Sequence, residues 1–445
     1  MADEVESLFE KYRRDAVLLH RPYPPYEAAK GLSKFGGLPS LPSNYAWPRT
    51  PEGLPLHFLA QIDCRDISFP TILPDQGVLF FFGRCDMEQL WETNEPDRNC
   101  RVIFAPEGAA GIRERQPPAD LPPIGGGYPR PRWICGVPPT QASGPNQHFE
   151  WPITPIRIHS WPDPSALPAE NCPPQPWRGL GLYGLVYAED LYPEEWNTFC
   201  EYHDDQRQLQ TAYRLKLEQR RAESIYAATG RTPTTHDKWD IHLDLSKALM
   251  GHDFDGGICP WRWIYVRFLC MALSVETADS PLPLADPHIV EEGIHYWLDR
   301  ANRADPADAL PDDAGRELNK WIKNIRSGGR TERLILDVVA TAIRSFAGTP
   351  ELARKIDPVI YELVAPVFCD NTIPEMMFSQ MLGHAPSVQT AKFVEDRNIC
   401  LINIASERDS TGWSFGDRGY CSFWISLQDL WNRNFNNSWG TIMGS

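Results

Sequence analysis

The sequence predicts an α+β fold: a pseudo-symmetric β-rich domain built from two related halves, with a mostly helical inserted subdomain. Two observations lead to this prediction. A stretch near the C-terminal end, Leu401–Leu430, has a diverged counterpart more than three hundred residues upstream, Leu59–Phe82. The density of proline also changes along the chain, because 29 of the 42 prolines lie in the first 180 residues. That density disfavours long helices there and favours short strands joined by irregular connections.

The two related stretches keep the same internal spacing. Eighteen residues separate Leu59 from Gly77, and eighteen separate Leu401 from Gly419. Other matches are Gln61-Ile62 with Asn403-Ile404, Phe80–Phe82 with Ser422–Trp424, and Gly36–Pro39 with Gly383–Pro386. A repeat of this length indicates a duplicated unit. Because two copies are too few for a solenoid, we expect the two halves to pack face to face.

The first part of the chain is predicted to contain one helix followed by strands and loops. Residues 3–20 carry apolar side chains at helical intervals, which predicts an amphipathic opening helix. From there to about residue 180 the best strand predictions are Val78–Phe82 and Arg101–Phe104. Together these residues, 1–180, are predicted to form the N-terminal helix and the first β-rich half.

The middle of the chain, residues 190–368, is predicted to be a helical insertion. No Gly or Pro occurs between Pro193 and Gly230, so one helix of up to about thirty-five residues is expected there. Shorter helices are predicted over residues 286–300, 312–325, 331–346 and 349–364. The repeat pattern resumes after Pro374, and residues 371–445 are predicted to complete the first domain as its second β-rich half.

Motifs in both halves resemble the YwqG-like family. In the first half they are Ser33–Gly37 with Pro39, Trp47-Pro48, Phe58–Asp63 and Leu73–Phe82, and in the second half Leu382–His384 with Pro386, Trp413–Gly419, Asp429-Leu430 and Phe435. The resemblance covers about residues 31–161 and 380–439. It implies an α+β domain of unknown function with no established catalytic residues and, by association, a bacterial toxin-neutralising or defence context. The chain departs from the family pattern at His384, where the family more often has a second glycine.

The charge balance argues against a nucleic-acid partner. The chain has 43 basic and 59 acidic residues, a net charge of −16 and a pI of about 5.2, so its surface repels a phosphate backbone on average. The one candidate basic patch, Lys216–Arg221, is interrupted by glutamate and is better explained as the solvated face of a helix. We therefore expect a protein partner or a small ligand, and no nucleic acid.

Cysteine usage and hydropathy predict a cytoplasmic location. The eleven cysteines include no Cys-x-x-Cys pair, and the first residues are acidic where a signal peptide is basic, so reduced thiols are expected. The longest apolar run, Trp261–Val275, is interrupted by Arg262 and Arg267. We therefore expect neither a membrane-spanning segment nor a membrane partner.

Five polar or aromatic residues are candidates for lining a ligand cleft between the halves: Gln61, Asn403, Asp417, Trp413 and His384. Gln61 and Asn403 occupy matching positions as amides within apolar strands. Buried amides need hydrogen-bond partners, so these two either bridge the halves or line a ligand cleft. Asp417 lies between glycines at a predicted turn, where a carboxylate commonly binds backbone N–H groups.

A second constellation would suit a metal. His252-Asp253-Phe-Asp255 is followed by two glycines, and alternating acids of this kind can surround a hard cation. His242 and Asp244 lie close by in the sequence and would add a second His-Asp pair. The alternative is a polar turn between two helices, with histidines on the surface of an acidic segment.

Two classes of function remain open. The first is a non-catalytic binding protein without a cofactor, which the lack of nucleophile, phosphate-loop and zinc-protease motifs favours. The second is a metal-dependent hydrolase, with a divalent metal held by His242, Asp244, His252, Asp253 and Asp255 activating water. The residues favour the binding protein and leave the question of any catalytic activity open.

Overall fold

The computed structural model describes residues 2–28, 31–86, 99–124, 146–164, 167, 175–176, 186, 188–230, 238–251, 259–279, 287–325, 329–369, 378–385, 398–406, 411–412, 415 and 419–443. The structural statements below concern these residues. They form two antiparallel sheets and a set of helices, which confirms the predicted α+β class.

The strands are β1 Arg14–His20, β2 Lys34–Phe35, β3 His57–Asp63, β4 Val78–Gly83, β5 Cys100–Ala105, β6 Trp151–Pro152, β7 Thr154–Ser160, β8 Gln380–Met381, β9 Asn398–Ala405, β10 Tyr420–Ser426 and β11 Trp439–Met443. The helices are α1 Ala2–Tyr12, α2 Ala188–Leu191, α3 Pro193–Thr229, α4 Lys238–Met250, α5 Trp263–Asp279, α6 Pro287–Arg303, α7 Asp312–Ile325, α8 Gly329–Phe346, α9 Pro350–Ala353, α10 Pro358–Cys369 and α11 Leu427–Trp431. The strands predicted over 78–82 and 101–104 are confirmed as β4 and β5.

The two sheets pack face to face. The six-stranded sheet has the order β11-β10-β9-β8-β1-β7, and we call it sheet A; the five-stranded sheet has the order β5-β4-β3-β2-β6, and we call it sheet B. One apolar core contains buried side chains from both sheets. At its centre Phe81 of sheet B meets Phe423 of sheet A edge to face, with ring centroids 5.4 Å apart. Burying one such ring stabilises the fold by about 1.5–3 kcal/mol.

The central hairpins of the two sheets have the same register. In sheet B Gln61 pairs with Phe80, and adding 342 to both numbers gives Asn403 and Ser422, which pair in sheet A. Both hairpins also contain a one-residue register shift, at Leu59 in sheet B and at the corresponding Leu401 in sheet A. The equal spacing of the two sequences therefore corresponds to equal pairing of their strands.

The same correspondence extends to the bonds that hold β2 and β8. Ser33 Oγ accepts from Asp63 N in sheet B, and Ser379 Oγ accepts from Ala405 N in sheet A, each at 3.0 Å. Both serines are almost fully buried. The two halves thus share a hydroxyl-to-backbone bond as well as strand order.

The first twenty residues differ from the prediction. Only Ala2–Tyr12 is helical, and Arg14–His20 forms strand β1 at the interior of sheet A, between β7 and β8. The prediction of one helix over residues 3–20 was wrong because Ala16–Leu19 is a continuous apolar run. Such a run suits a strand that is buried on both faces, and the core places it there.

The helical part begins as predicted. Helix α3 has Pro193 in its first turn and ends at Gly230, whose φ of 69° is left-handed. Ile225, near its C-terminal end, packs with Leu18 and Ile158 against the outer face of sheet A. Helices α4 to α10 form a separate apolar core that includes Tyr23 and Trp151 of the β-rich part. The predicted helix over residues 349–364 is divided into α9 and α10.

Among the described residues, no helix is both long enough and apolar enough to cross a membrane. The domain boundaries at 1–180, 190–368 and 371–445, and the cytoplasmic location, stay predictions.

The shared serine bonds yield a test of the correspondence between the halves. Ser379→Ala leaves Ala405 N without its acceptor, so we expect a loss of about 1–3 kcal/mol in the free energy of unfolding. Ser33→Ala should cost at least as much, because that hydroxyl also donates to Asp66 Oδ2 at 2.6 Å. Chemical denaturation measures both values. Thr198→Ala, at an exposed site on α3, is the control and should change stability by less than about 0.5 kcal/mol; an equally small effect of Ser379→Ala would contradict the correspondence.

Candidate functional site

The two matched amides lie on opposite outer faces of the two-sheet sandwich. Neighbouring residues of a strand point to opposite faces, and Phe81 and Phe423 point into the interface between the sheets. Gln61, opposite Phe80, and Asn403, opposite Ser422, therefore point outward, away from one another. The two amides do not face one cleft and do not bridge the halves.

Each amide has a local partner. Gln61 Oε1 accepts from Ser40 N at 2.9 Å, and its Nε2 donates to Leu32 O at 2.7 Å, so the side chain fastens the segment that covers sheet B. Asn403 Oδ1 accepts from Ser422 Oγ at 2.6 Å across the hairpin. These contacts give both residues a structural role.

His384 is also held by the fold. Its Nε2 lies 2.8 Å from Tyr12 O, its N–H donates to Ser160 Oγ at 3.0 Å, and its carbonyl accepts from Gln380 Nε2 at 2.7 Å. The residue is buried and ties β8 to the end of α1 and to β7. Trp413 and Asp417, the other two cleft candidates, lie outside the described residues.

The predicted metal ligands are mostly outside the described residues. This applies to His252, Asp253 and Asp255 and to the side chain of His242. Asp244, on α4, is about half exposed and lies 3.1 Å from Lys247 Nζ. Within the part of the chain that the structure describes, no group of three or more His, Cys, Asp or Glu side chains could hold a metal ion.

One cysteine lies beside a histidine, but the pair is not arranged as a nucleophile and its base. Cys85 N–H donates to His57 Nδ1 at 3.2 Å, so the ring proton lies on Nε2, 2.9 Å from Pro122 O. Burial lowers the pKa of His57 and raises that of the Cys85 thiol. Both groups are therefore neutral, and the thiolate that attacks in cysteine enzymes is disfavoured.

A cavity of about 430 Å³ lies where the halves meet, and we call it the seam pocket. It is lined by Arg14, Asp15, Ala16, Val17, Phe69, Pro70, Thr71, Ile72, Leu382 and Ile399. Strand β1, Leu382 directly after β8 and Ile399 near the start of β9 contribute from sheet A, while the loop Phe69–Ile72 comes from the half that forms sheet B. Its volume lies within the range of small-ligand sites, and most of the lining side chains are apolar.

Charged groups form one rim of the seam pocket. Arg157 donates to the Asp15 carboxylate at 2.6 Å, and His159 Nδ1 lies 3.2 Å from the same carboxylate. The hydrogen bond from Arg157 holds the pKa of Asp15 below its ordinary value of 3.8. The Arg157 guanidinium also lies over the Phe69 ring, 6.0 Å from its centroid. Because this ion pair is exposed to solvent, it orients the rim more than it stabilises the fold.

The seam pocket marks a place where the two halves differ. Strand pairing puts Leu382 at the position of Gly36, and both residues are left-handed, with φ values of 63° and 57°. For a leucine this conformation costs about 1–2 kcal/mol. The next residue in sheet B, Gly37, is left-handed too and donates its N–H to His148 O at 3.0 Å, whereas Gly383 in sheet A has left that conformation.

At the matching place in sheet B a backbone hydrogen bond joins the two halves. Phe149 N–H donates to Thr411 O at 3.3 Å, which joins Thr411 of the second half to the irregular segment that leads into β6. We call this contact, with the Gly37–His148 bond, the closed seam. The loop Phe69–Ile72 takes the corresponding position against β1, but there the seam pocket intervenes.

Sequence reasoning missed the seam pocket. Its β1 side was predicted to be helical, and its loop side lies inside the repeat without a motif of its own. The sequence matched Gly36 with Gly383, whereas strand pairing matches Gly36-Gly37 with Leu382-Gly383, so the sequence match was wrong by one residue. The signal that was present is that the second half lacks a glycine pair.

The role of Gln61 can be tested directly. Gln61→Ala leaves Ser40 N and Leu32 O without their partners in a buried site, so we expect a loss of about 2–4 kcal/mol in the free energy of unfolding. Denaturation curves measure it, with Gln219→Ala as control, because that exposed amide bonds only Glu223 among the described side chains. A change below about 0.5 kcal/mol for Gln61→Ala, the range expected of surface sites, would show that the amide is available for another role.

Comparison with known proteins agrees with the motifs. A family model described as a domain of unknown function, DUF1963, matches residues 33–238 and 336–442. The unmatched stretch, 239–335, is shorter than the predicted insertion at 190–368, since the match includes α3, which packs on sheet A. No curated protein matches the chain. The family match spans more than half of the sequence in two segments around a helical region, and the chain therefore belongs to the DUF1963 family of domains of unknown function.

Proposed function

We propose that this protein is a non-catalytic binding protein and that the seam pocket is its ligand site. The observation that carries the proposal is the pocket itself, an apolar cavity with an ionic rim at a seam whose counterpart is joined by a backbone hydrogen bond among the described residues. Ligand sites are commonly concave, mostly apolar and supplied with a few polar groups that fix orientation. The strained backbone at Leu382 adds support, because such strain clusters at functional sites.

The other parts of the predicted function rest on the sequence. A duplicated origin of the two halves is supported by the shared registers and by the shared serine bonds. The toxin-neutralising or defence context rests on the family resemblance alone. The metal-dependent hydrolase stays a prediction from His242, Asp244, His252, Asp253 and Asp255, and no described contact favours it.

A fluorescent apolar probe tests the seam pocket. We expect 1-anilinonaphthalene-8-sulfonate to bind the native protein with a rise in fluorescence, and Ile72→Asp to weaken this binding at least about tenfold, or 1.4 kcal/mol. The physical reason is that a carboxylate placed on an apolar wall repels an apolar anion. Ile72 is 47% exposed, so the variant should fold.

Ile112→Asp is the matched control, because Ile112 is 39% exposed and lies outside the pocket. It should bind the probe as the parent does. Equal binding by the parent and by Ile72→Asp, or equal weakening by both variants, would show that the probe does not report on the seam pocket and would remove the proposal's support.

A further inference from the structure

The closed seam provides a template for the seam that contains the seam pocket, which we call the open seam. Strand pairing aligns the two seams residue by residue. Leu19 N–H donates to Ser379 O in sheet A, and Ile153 N–H donates to Ser33 O in sheet B, each at 3.0 Å. Four residues before these positions stand Asp15 in sheet A and Phe149 in sheet B. Asp15 is therefore the structural counterpart of Phe149.

The partner of Phe149 also has a counterpart. Thr411, whose carbonyl accepts from Phe149 N–H, lies eight residues before Gly419, as Phe69 lies eight before Gly77. Phe69 and Asp15 both line the seam pocket. Phe149 and Thr411 bond to one another in the closed seam. Their counterparts, Asp15 and Phe69, therefore lie on opposite sides of the seam pocket.

The main chain of Asp15 is oriented toward this cavity. Successive residues of an antiparallel strand direct their N–H and C=O groups to alternate sides, and Leu19 N–H points toward β8. Asp15 is four residues away, an even number, so its N–H points to the same side as the N–H of Leu19. His159, paired with Asp15 on the other side, agrees: its N–H turns away from β1 and donates to Ser224 Oγ at 3.3 Å.

Strand β8 does not extend far enough to pair with Asp15. Its last residue, Met381, lies opposite Val17, and the left-handed Leu382 then turns the chain away. The N–H of Asp15 opens instead on a pocket whose other walls are mostly apolar and include Ile72 and Leu382. A peptide group with an apolar side chain has the matching chemistry, since strand edges recognise extended peptides through main-chain bonds and side-chain pockets.

We propose that the seam pocket binds an extended peptide segment of a partner protein, with one peptide carbonyl accepting from Asp15 N–H as Thr411 O accepts from Phe149 N–H. This inference rests on the proposed function and specifies its ligand. The apolar walls receive a side chain of the segment, and the Arg157–Asp15 pair faces the solvent side.

The test uses the full-length chain and a fluorescein-labelled, end-capped peptide with the sequence of residues 409–415, which contains Thr411, the acceptor residue of the closed seam. Asp15→Pro removes the N–H that faces the pocket while leaving the bonds to β7, and Asp15→Ala keeps that N–H and removes the carboxylate. Fluorescence polarisation should show Asp15→Pro binding the peptide at least about tenfold more weakly than Asp15→Ala, because both variants lack the carboxylate and only the proline variant lacks the N–H; tenfold corresponds to the free energy of about one hydrogen bond.

A second peptide covers the case in which Asp15→Pro fails to fold. It carries a thioamide in place of the Thr411 carbonyl, a weaker acceptor, and should bind the parent at least about tenfold less tightly. If the parent binds both peptides equally, or if both Asp15 variants bind the first peptide equally, the proposed main-chain hydrogen bond is overturned. If neither peptide binds while the fluorescent apolar probe still responds to Ile72→Asp, the peptide inference fails and the proposed ligand site stands; if the probe also fails, both fall.

Discussion

The contact between the inner faces of the two sheets is the constraint on which the rest of the structure depends. Phe81 and Phe423 occupy matching positions and meet at its centre. Because the same side chain of each half touches its counterpart, the approximate twofold axis passes between the two rings. Aromatic pairs of this edge-to-face kind contribute about 0.5–1.5 kcal/mol beyond the area that they bury.

A symmetric pair of sheets has two equivalent seams. In this protein the two seams differ in sequence and in their contacts. In sheet B the left-handed glycines Gly36 and Gly37 lie beside the backbone bond between Phe149 and Thr411. In sheet A a leucine takes the first of these positions at a cost in backbone strain, and a cavity remains. The closed seam can therefore serve as a template for the other seam. The candidate site lies where the two seams differ. Among the described residues, those that line the seam pocket all come from the β-rich part.

The sequence predicted the parts of the fold that depend on local signals and on spacing. Equal spacing predicted equal hairpins, and Pro193 with Gly230 predicted the long helix α3. It did not reveal which face of a strand meets the other sheet. Val78–Phe82 is apolar at every position and buried on both faces, so no alternation distinguishes inside from outside. For that reason the sequence was compatible with Gln61 and Asn403 sharing a cleft, although in the structure their side chains point in opposite directions.

The candidate site was beyond prediction for a related reason. It arises from a difference in tertiary structure between two similar turns, and neither turn carries a catalytic or ligand-binding motif. Asp15 itself stood in a segment assigned to a helix, where its main-chain N–H would have been bonded within that helix. Only the pairing of β1 with β7 and β8 shows that this group faces a pocket.

The most direct measurement is amide hydrogen exchange at the two matched positions, read by NMR on protein labelled at aspartate and phenylalanine. Because the closed seam bonds Phe149 N–H and the open seam leaves Asp15 N–H facing the pocket, the Asp15 amide should exchange at least about tenfold faster than that of Phe149. Addition of the 409–415 peptide should slow hydrogen exchange at the Asp15 amide and leave the exchange rate of the Phe149 amide unchanged. Equal protection of the two amides in the absence of peptide would contradict the account of one closed and one open seam.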